Sequence, residues 1–168
     1  MLDKEQLFRE ILKNNKDRMY RMCCYYVSGY DDRQDLYQEI LIKIWNSIEK
    51  FRGDSNINTY IYRIAINTSL KFVISSSKKS KKENELSPNL NPPDQSDGND
   101  NKVQLEKDIN KLLSSINQLA PNDKTIISLL LEKFSYQQIA DITGLERNYI
   151  GVKINRIKLV LKKLMEES

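Results

Sequence analysis

The stretch from Ser75 to Asn101 constrains this chain more than any other feature. Its only apolar residues are Leu86 and Leu90, and it holds Pro88, Pro92 and Pro93, three of the four prolines in the sequence. A segment of that kind buries too little surface to offset the entropy lost on ordering. It predicts a flexible linker over 75–102, dividing an N-terminal unit, residues 1–74, from a C-terminal unit, residues 103–168. A coil of this length spans roughly 30 Å and reaches about 90 Å when extended. That reach exceeds one turn of a DNA duplex, about 34 Å.

Two units drawn from 168 residues are each too small for a large multi-layered enzyme. With 39% hydrophobic residues each still builds a core, whereas a mean hydropathy of -0.61 and 30% charged residues leave little room for a membrane span. Met1 to Arg9 mixes charges with isolated apolar residues, so no secretory signal is expected and the protein is placed in the cytoplasm. The chain has no histidine, which excludes histidine-dependent catalysis and most zinc sites. Cys23 and Cys24 are adjacent in a helical pattern and point apart, so buried or half-buried thiols are expected instead of a disulfide.

Apolar residues recur at helical spacing throughout both units, and no window alternates with the period of a strand. Leu7, Ile11, Met22 and Tyr26 mark a first helix. Leu36, Ile40, Ile44 and Ile48 mark a second, with Asp31 or Asp32 expected to cap it. Ile57, Ile61, Ile64, Ala65 and Phe72 mark a third, beyond a turn at Arg52 to Ser55. In the second unit a helix from Leu105 to Leu119 stops before Pro121, which suits the first position of the next. Ser135 precedes a short helix, and Ile150, Ile154, Ile157, Leu161 and Leu164 give the last one, from about Glu146 to Met165, its core face. The expected class is all-α: two small helical domains joined by a flexible linker.

Three constellations point to function. Ala140, Gly144 and Ile150 have the spacing of a helix-turn-helix: a small residue at the close approach, a glycine for the turn, and an apolar anchor on the second helix. The last helix is then the recognition helix, and from Arg147 to Lys163 it carries Arg147, Lys153, Arg156, Lys158, Lys162 and Lys163 with no acidic residue. That charge suits phosphate contacts, with Asn148 and Tyr149 beside it. Asp35 and Glu39 lie one turn apart after Asp31 and Asp32. Carboxylates at that spacing serve three ends: holding magnesium, capping and solvating a helix, or docking on a basic partner. Finally, Tyr60, Arg63, Asn67 and Lys71 share one helix face, with Tyr62 nearer its flank. This fits stacking of splayed bases, although Tyr60 also sits at a core spacing from Ile57.

In this order the motifs resemble the extracytoplasmic-function sigma factors of bacteria, which contain only sigma regions two and four. The matching residues are Asp35-Leu36-Tyr37-Gln38-Glu39, Phe51-Arg52-Gly53-Asp54-Ser55 with Thr59 to Asn67, and Ser135 to Ala140. The resemblance implies that Asp35, Leu36, Gln38 and Glu39 dock on the clamp helices of the largest subunit of core RNA polymerase, with no metal or other cofactor. It places capture of the melted non-template strand of the minus-ten element at Gly53, Asp54, Ser55, Asn56, Tyr60, Arg63, Asn67 and Lys71. It assigns the minus-thirty-five duplex to Arg147, Asn148, Tyr149, Lys153 and Arg156, and contact with the flap of the second-largest subunit to region four. Glu146 and Gly151 depart from the serine and lysine usual in the family, which implies altered base readout and reliance on a recruiting protein. An anti-sigma factor, common in the family, is a further expected partner. The implied activity is promoter recognition and melting without bond chemistry. A helix-turn-helix regulator that acts without replacing a sigma subunit is the alternative, because its DNA-reading half looks the same.

Overall fold

The apolar rows wind into seven α-helices in the computed structural model, which describes residues 3–82 and 100–168, and no strand occurs among the described residues. The first unit holds α1 (Lys4–Tyr26), α2 (Tyr30–Ser47), a 3-10 turn (Ile48–Lys50) and α3 (Ile57–Lys82). The second holds α4 (Asp100–Asn117), α5 (Pro121–Leu131), α6 (Tyr136–Thr143) and α7 (Arg147–Glu167). Leu36, Ile40 and Ile44 of α2 meet Ile61, Tyr62 and Ala65 of α3 and Met19, Met22 and Cys23 of α1 in one fully buried core. Ile116, Ile126, Leu129, Ile139, Ile150, Ile154 and Ile157 do the same for the second unit. Each such side chain contributes about 1.5–3 kcal/mol through burial, which is why period-four rows decide where the helices lie.

Local chemistry sets most of the boundaries. Pro121 stands in the first turn of α5. Ser135 opens α6 with a reciprocal cap, its Oγ accepting the Gln138 N–H at 3.1 Å while the Gln138 Oε1 accepts the Ser135 N–H at 2.9 Å. Gly144, at φ 74°, closes that helix. Helix α2 differs from expectation: it starts at Tyr30 behind Gly29, so Asp31 and Asp32 lie inside the first turn without capping. There they still face the positive end of the helix dipole. Cys23 is buried and Cys24 half-buried, both free thiols, and burial pushes the Cys23 thiol up to about 12.

The segment expected as a linker over 75–102 is helical at both described ends, because α3 continues to Lys82 and α4 begins at Asp100. Residues 83–99 lie outside the described part. Once packing has nucleated α3, its extension needs no apolar face, and lysines both favour helix and complement the dipole at a C-terminal end. The two units also touch: α1 packs on α4 and α5, and α3 packs on α6. Tyr62 and Phe134 meet edge to face across this joint, ring centroids 4.8 Å apart. Sequence periodicity predicts each unit's core but is silent about this pairing.

Candidate nucleic-acid interface

On α2 the four residues assigned to polymerase divide. Asp35 and Gln38 are exposed and Glu39 is half-buried, whereas Leu36 is 0% exposed and belongs to the core. Leu36 therefore holds the helix in place while its three neighbours form the surface. No group of three or more metal-ligating side chains occurs among the described residues. What α2 offers is an accessible carboxylate pair one turn apart, suited to a cationic partner surface.

The turn before α3 and the start of that helix form one structure. Gly53 takes φ 79°, a left-handed conformation that a side chain would strain. The Asn56 side-chain oxygen accepts the Asn58 N–H at 2.9 Å and caps α3. Gly53, Asp54 and Asn56 are exposed and Ser55 is half-buried. Tyr60 braces this turn from the helix side, donating its hydroxyl to the Ser47 carbonyl at 2.9 Å and packing its ring 5.1 Å from that of Phe51. Tyr62, expected on a flank, is the fully buried ring; its hydroxyl donates to Asn15 Oδ1 at 3.1 Å, and burial pushes it up to about 12.

Farther along α3 the structure separates residues that the helix face unites. Lys71 is open to solvent. Arg63, also exposed, donates from both Nε and Nη2 to the Asp141 carbonyl of α6. Asn67 lines a cavity of about 210 Å³ together with Arg63, Asn122, Thr125 and Thr143. Arg63 and Asn67 in the middle of the face thus lie beside the helix-turn-helix yet stay exposed, while Lys71 is open at one end and Tyr60 is half-buried at the other.

In the second unit Ala140 is buried, Gly144 is left-handed and Ile150 is fully buried, the geometry that its spacing implies. Arg147, Asn148, Tyr149 and Arg156 are exposed on α7. Lys153 is half-buried and donates to Asp123 Oδ1 of α5 at 3.0 Å, a bond that raises its pKa. Its Nζ also lies 6.0 Å from the Tyr149 ring centroid, so it fastens α7 to α5. Sequence reasoning missed Val152 and Asn155, both exposed. With Asn148 they form an outward stripe at steps of four and three, the complement of the buried Ile150, Ile154 and Ile157. That complement was the signal available: asparagine amides pair with adenine and an apolar group meets the thymine methyl in the major groove. Gly151 sits under Tyr136, whose ring would lie 3.6 Å from an added Cβ.

Residues 11–78 match the family profile of Sigma-70 region 2. The chain is 27% identical over 166 residues to the ECF RNA polymerase sigma-E factor of Haemophilus influenzae, covering 94% of this chain and 87% of that protein. It is 28% identical over 158 residues to the RNA polymerase sigma factor SigV of Bacillus subtilis, covering 93% and 90% respectively. Among solved structures, the sigma factor RpoE in complex with the anti-sigma factor NepR from Bartonella quintana superposes with a TM-score of 0.70 at 20% identity, over 95% of this chain and 96% of that one. CnrH in complex with the cytosolic domain of CnrY gives 0.68 at 13% identity, over 98% and 90%. At those identities the structural likeness shows the fold, and both sequence relatives extend across the two helical units.

Proposed function

We propose that this chain, which belongs to the extracytoplasmic-function sigma factors, is an alternative sigma subunit that binds core RNA polymerase, directs it to particular promoters and assists melting. The observation that carries this reading is the order of three surfaces on one chain: the accessible Asp35, Gln38 and Glu39 on α2, the Gly53 turn with Tyr60 to Lys71 on α3, and the basic helix-turn-helix of α6 and α7. Residues 1–74 act as the region-two unit, with the carboxylates of α2 meeting the clamp helices of the largest subunit. The turn at Gly53 to Asn56 and the face of α3 hold the melted non-template strand of the minus-ten element. Residues 103–168 act as region four, reading the minus-thirty-five duplex and touching the flap of the second-largest subunit.

On this reading the protein performs no bond chemistry and works in the cytoplasm alongside polymerase. No helix among the described residues is long and apolar enough to cross a membrane. Leu36 acts from within the core, and the base-facing set on α7 gains Val152 and Asn155 while Lys153 serves as a fastener. An anti-sigma factor is the expected restraining partner, since the RpoE relative is seen with one.

Run-off transcription with purified core polymerase on genomic promoter fragments tests the proposal. Discrete transcripts are expected only when the protein is present, and Asp35→Ala with Glu39→Ala abolishes them. Failure to bind polymerase, together with stable duplex binding by the protein alone, overturns the reading in favour of a helix-turn-helix regulator.

A further inference from the structure

We propose that the cleft between α3 and the helix-turn-helix binds a small organic anion, a carboxylate or phosphate monoester carried on a compact apolar body, and that this occupant competes with the melted strand. The competition rests on the function proposed above; the site itself rests on geometry. Ile66 and Leu70 of α3, Ile142 of α6 and Leu145 of the turn line a cavity of about 210 Å³. Ile66 and Ile142 are buried and Leu70 and Leu145 half-buried, so this wall is set by core packing. At about 30 Å³ for a water in the liquid, the space equals roughly seven waters, room for one ring or short chain with an acidic head. Apolar walls with a few convergent polar groups are the usual make-up of a ligand site.

The polar side of the cavity has donors to spare, and among the described residues no acidic side chain lines it. Its two hydroxyls are engaged within the protein. Thr143 donates to the Ile139 carbonyl at 2.7 Å and accepts the Leu145 N–H at 3.3 Å, while Thr125 meets the Tyr26 hydroxyl at 2.9 Å and donates to the Pro121 carbonyl at 3.1 Å. Arg63, Asn67 and Asn122 differ. The Arg63 guanidinium turns Nε and Nη2 to the Asp141 carbonyl, a neutral group, and among the described residues it pairs with no carboxylate. The Asp141 carboxylate instead accepts the Gln137 amide at 2.9 Å. The side-chain amides of Asn67 and Asn122 have no hydrogen-bonding partner among the described residues. All three side chains are exposed, so a solute reaches them without movement of any helix.

An arginine with its Nη1 edge free matches a carboxylate or phosphate through charge-assisted bonds, and the two amides supply further donors to the same oxygens. The ligand's apolar body gains by leaving water for the isoleucine and leucine wall, while its head keeps a charged partner. Arg63 and Asn67 also belong to the face assigned to the minus-ten strand. A bound acid and a nucleotide therefore exclude each other, which makes initiation responsive to the concentration of the acid.

Calorimetric titration of the full chain with benzoate, hexanoate and phenyl phosphate tests the site, with benzamide and inorganic phosphate as controls that lack the charge or the apolar body. At least one of the three acids is expected to bind one to one, and Arg63→Gln to weaken it about tenfold or more. Equal binding of inorganic phosphate overturns the site, as does undiminished binding by Arg63→Gln. So does the absence of binding with all three acids at about 10 mM, a concentration that reveals even millimolar affinity. If the melting curve shows that Arg63→Gln is unfolded, Asn122→Ala decides by the same titration. Run-off transcription reads the competition: the acid that binds is expected to lower transcript yield with its half-effect at its own Kd, and yield unchanged at saturation overturns that part. A chain that binds an acid through Arg63 but never supports transcription keeps the site and removes the initiation reading. Transcripts from a protein that binds none of the acids remove the site and keep that reading.

Discussion

The hydroxyls of Tyr26 and Thr125 meet at 2.9 Å in the joint between the two units. Tyr26 belongs to the apolar row of α1, and burial in the joint pushes its hydroxyl from the ordinary 10.0 up to about 12. The folded chain therefore holds that proton more tightly than the unfolded chain does. The stabilisation from Tyr26 is complete below pH 10.0 and is lost as pH rises through about 12. Tyr26→Phe removes the titrating group and leaves the Thr125 hydroxyl donating to the Pro121 carbonyl at 3.1 Å. Thermal melts across this window are expected to show a shallower fall with pH for Tyr26→Phe than for wild type.

Two glycines of the helix-turn-helix respond oppositely to alanine. At Gly144, with φ 74°, the added Cβ meets no atom within 4 Å, so the cost is that of the left-handed backbone alone, about 1–2 kcal/mol. At Gly151 the Cβ makes ordinary contact with the Tyr136 ring at 3.6 Å, and the better helix propensity adds up to about 1 kcal/mol. Denaturant titrations are expected to show Gly144→Ala less stable than wild type and Gly151→Ala more stable.

Leu36 and Asp35 separate stability from binding. Leu36→Ala leaves a void in a fully buried core site and costs about 2–5 kcal/mol. Asp35→Ala changes an exposed position and stays within about 0.5 kcal/mol of wild type. Polymerase capture is expected to fall with Asp35→Ala while its melting curve holds; a Leu36→Ala chain loses capture only in step with its loss of fold.

Asn155 and Arg156 separate base readout from phosphate attraction. Asn155→Ala is expected to relax preference at one A·T position, worth about 1–3 kcal/mol if the amide pairs with adenine. Arg156→Ala is expected to weaken all duplexes alike and reduce the slope of binding against salt by about one. Selection from randomised duplexes with each variant holoenzyme distinguishes the two effects.

Much of this protein is legible in its sequence because local periodicity and capping act over a few residues. The rows at Leu36 to Ile48 and Ile150 to Leu164, Pro121 at a helix start, Ser135 before α6 and Gly144 after it each state their structure within a turn or two of helix. The same rows indicate that Leu36 lies within the core, although a motif read as a string groups it with its exposed neighbours. What periodicity misses is decided at long range. Lys153 gains the Asp123 carboxylate as a partner only once α5 is placed beside α7, and Tyr62, expected nearer a flank, is buried because Asn15 and Phe134 surround it.

The all-helical class, the division into two units and the helix-turn-helix were determined by the sequence alone, since each depends on the spacing of apolar residues and on backbone preferences carried by single positions. How the units meet was decided only in three dimensions. Glu132 is an unremarked acidic residue in the sequence; its buried pairing with Arg21 and Tyr25 exists because folding brings the end of α5 against α1. Arg63 likewise gains a partner only in the fold, where α6 sets the Asp141 carbonyl against it while it stays exposed. Those contacts join residues far apart along the chain, where no periodic signal reaches and where the partner, more than the residue, determines what a charge does.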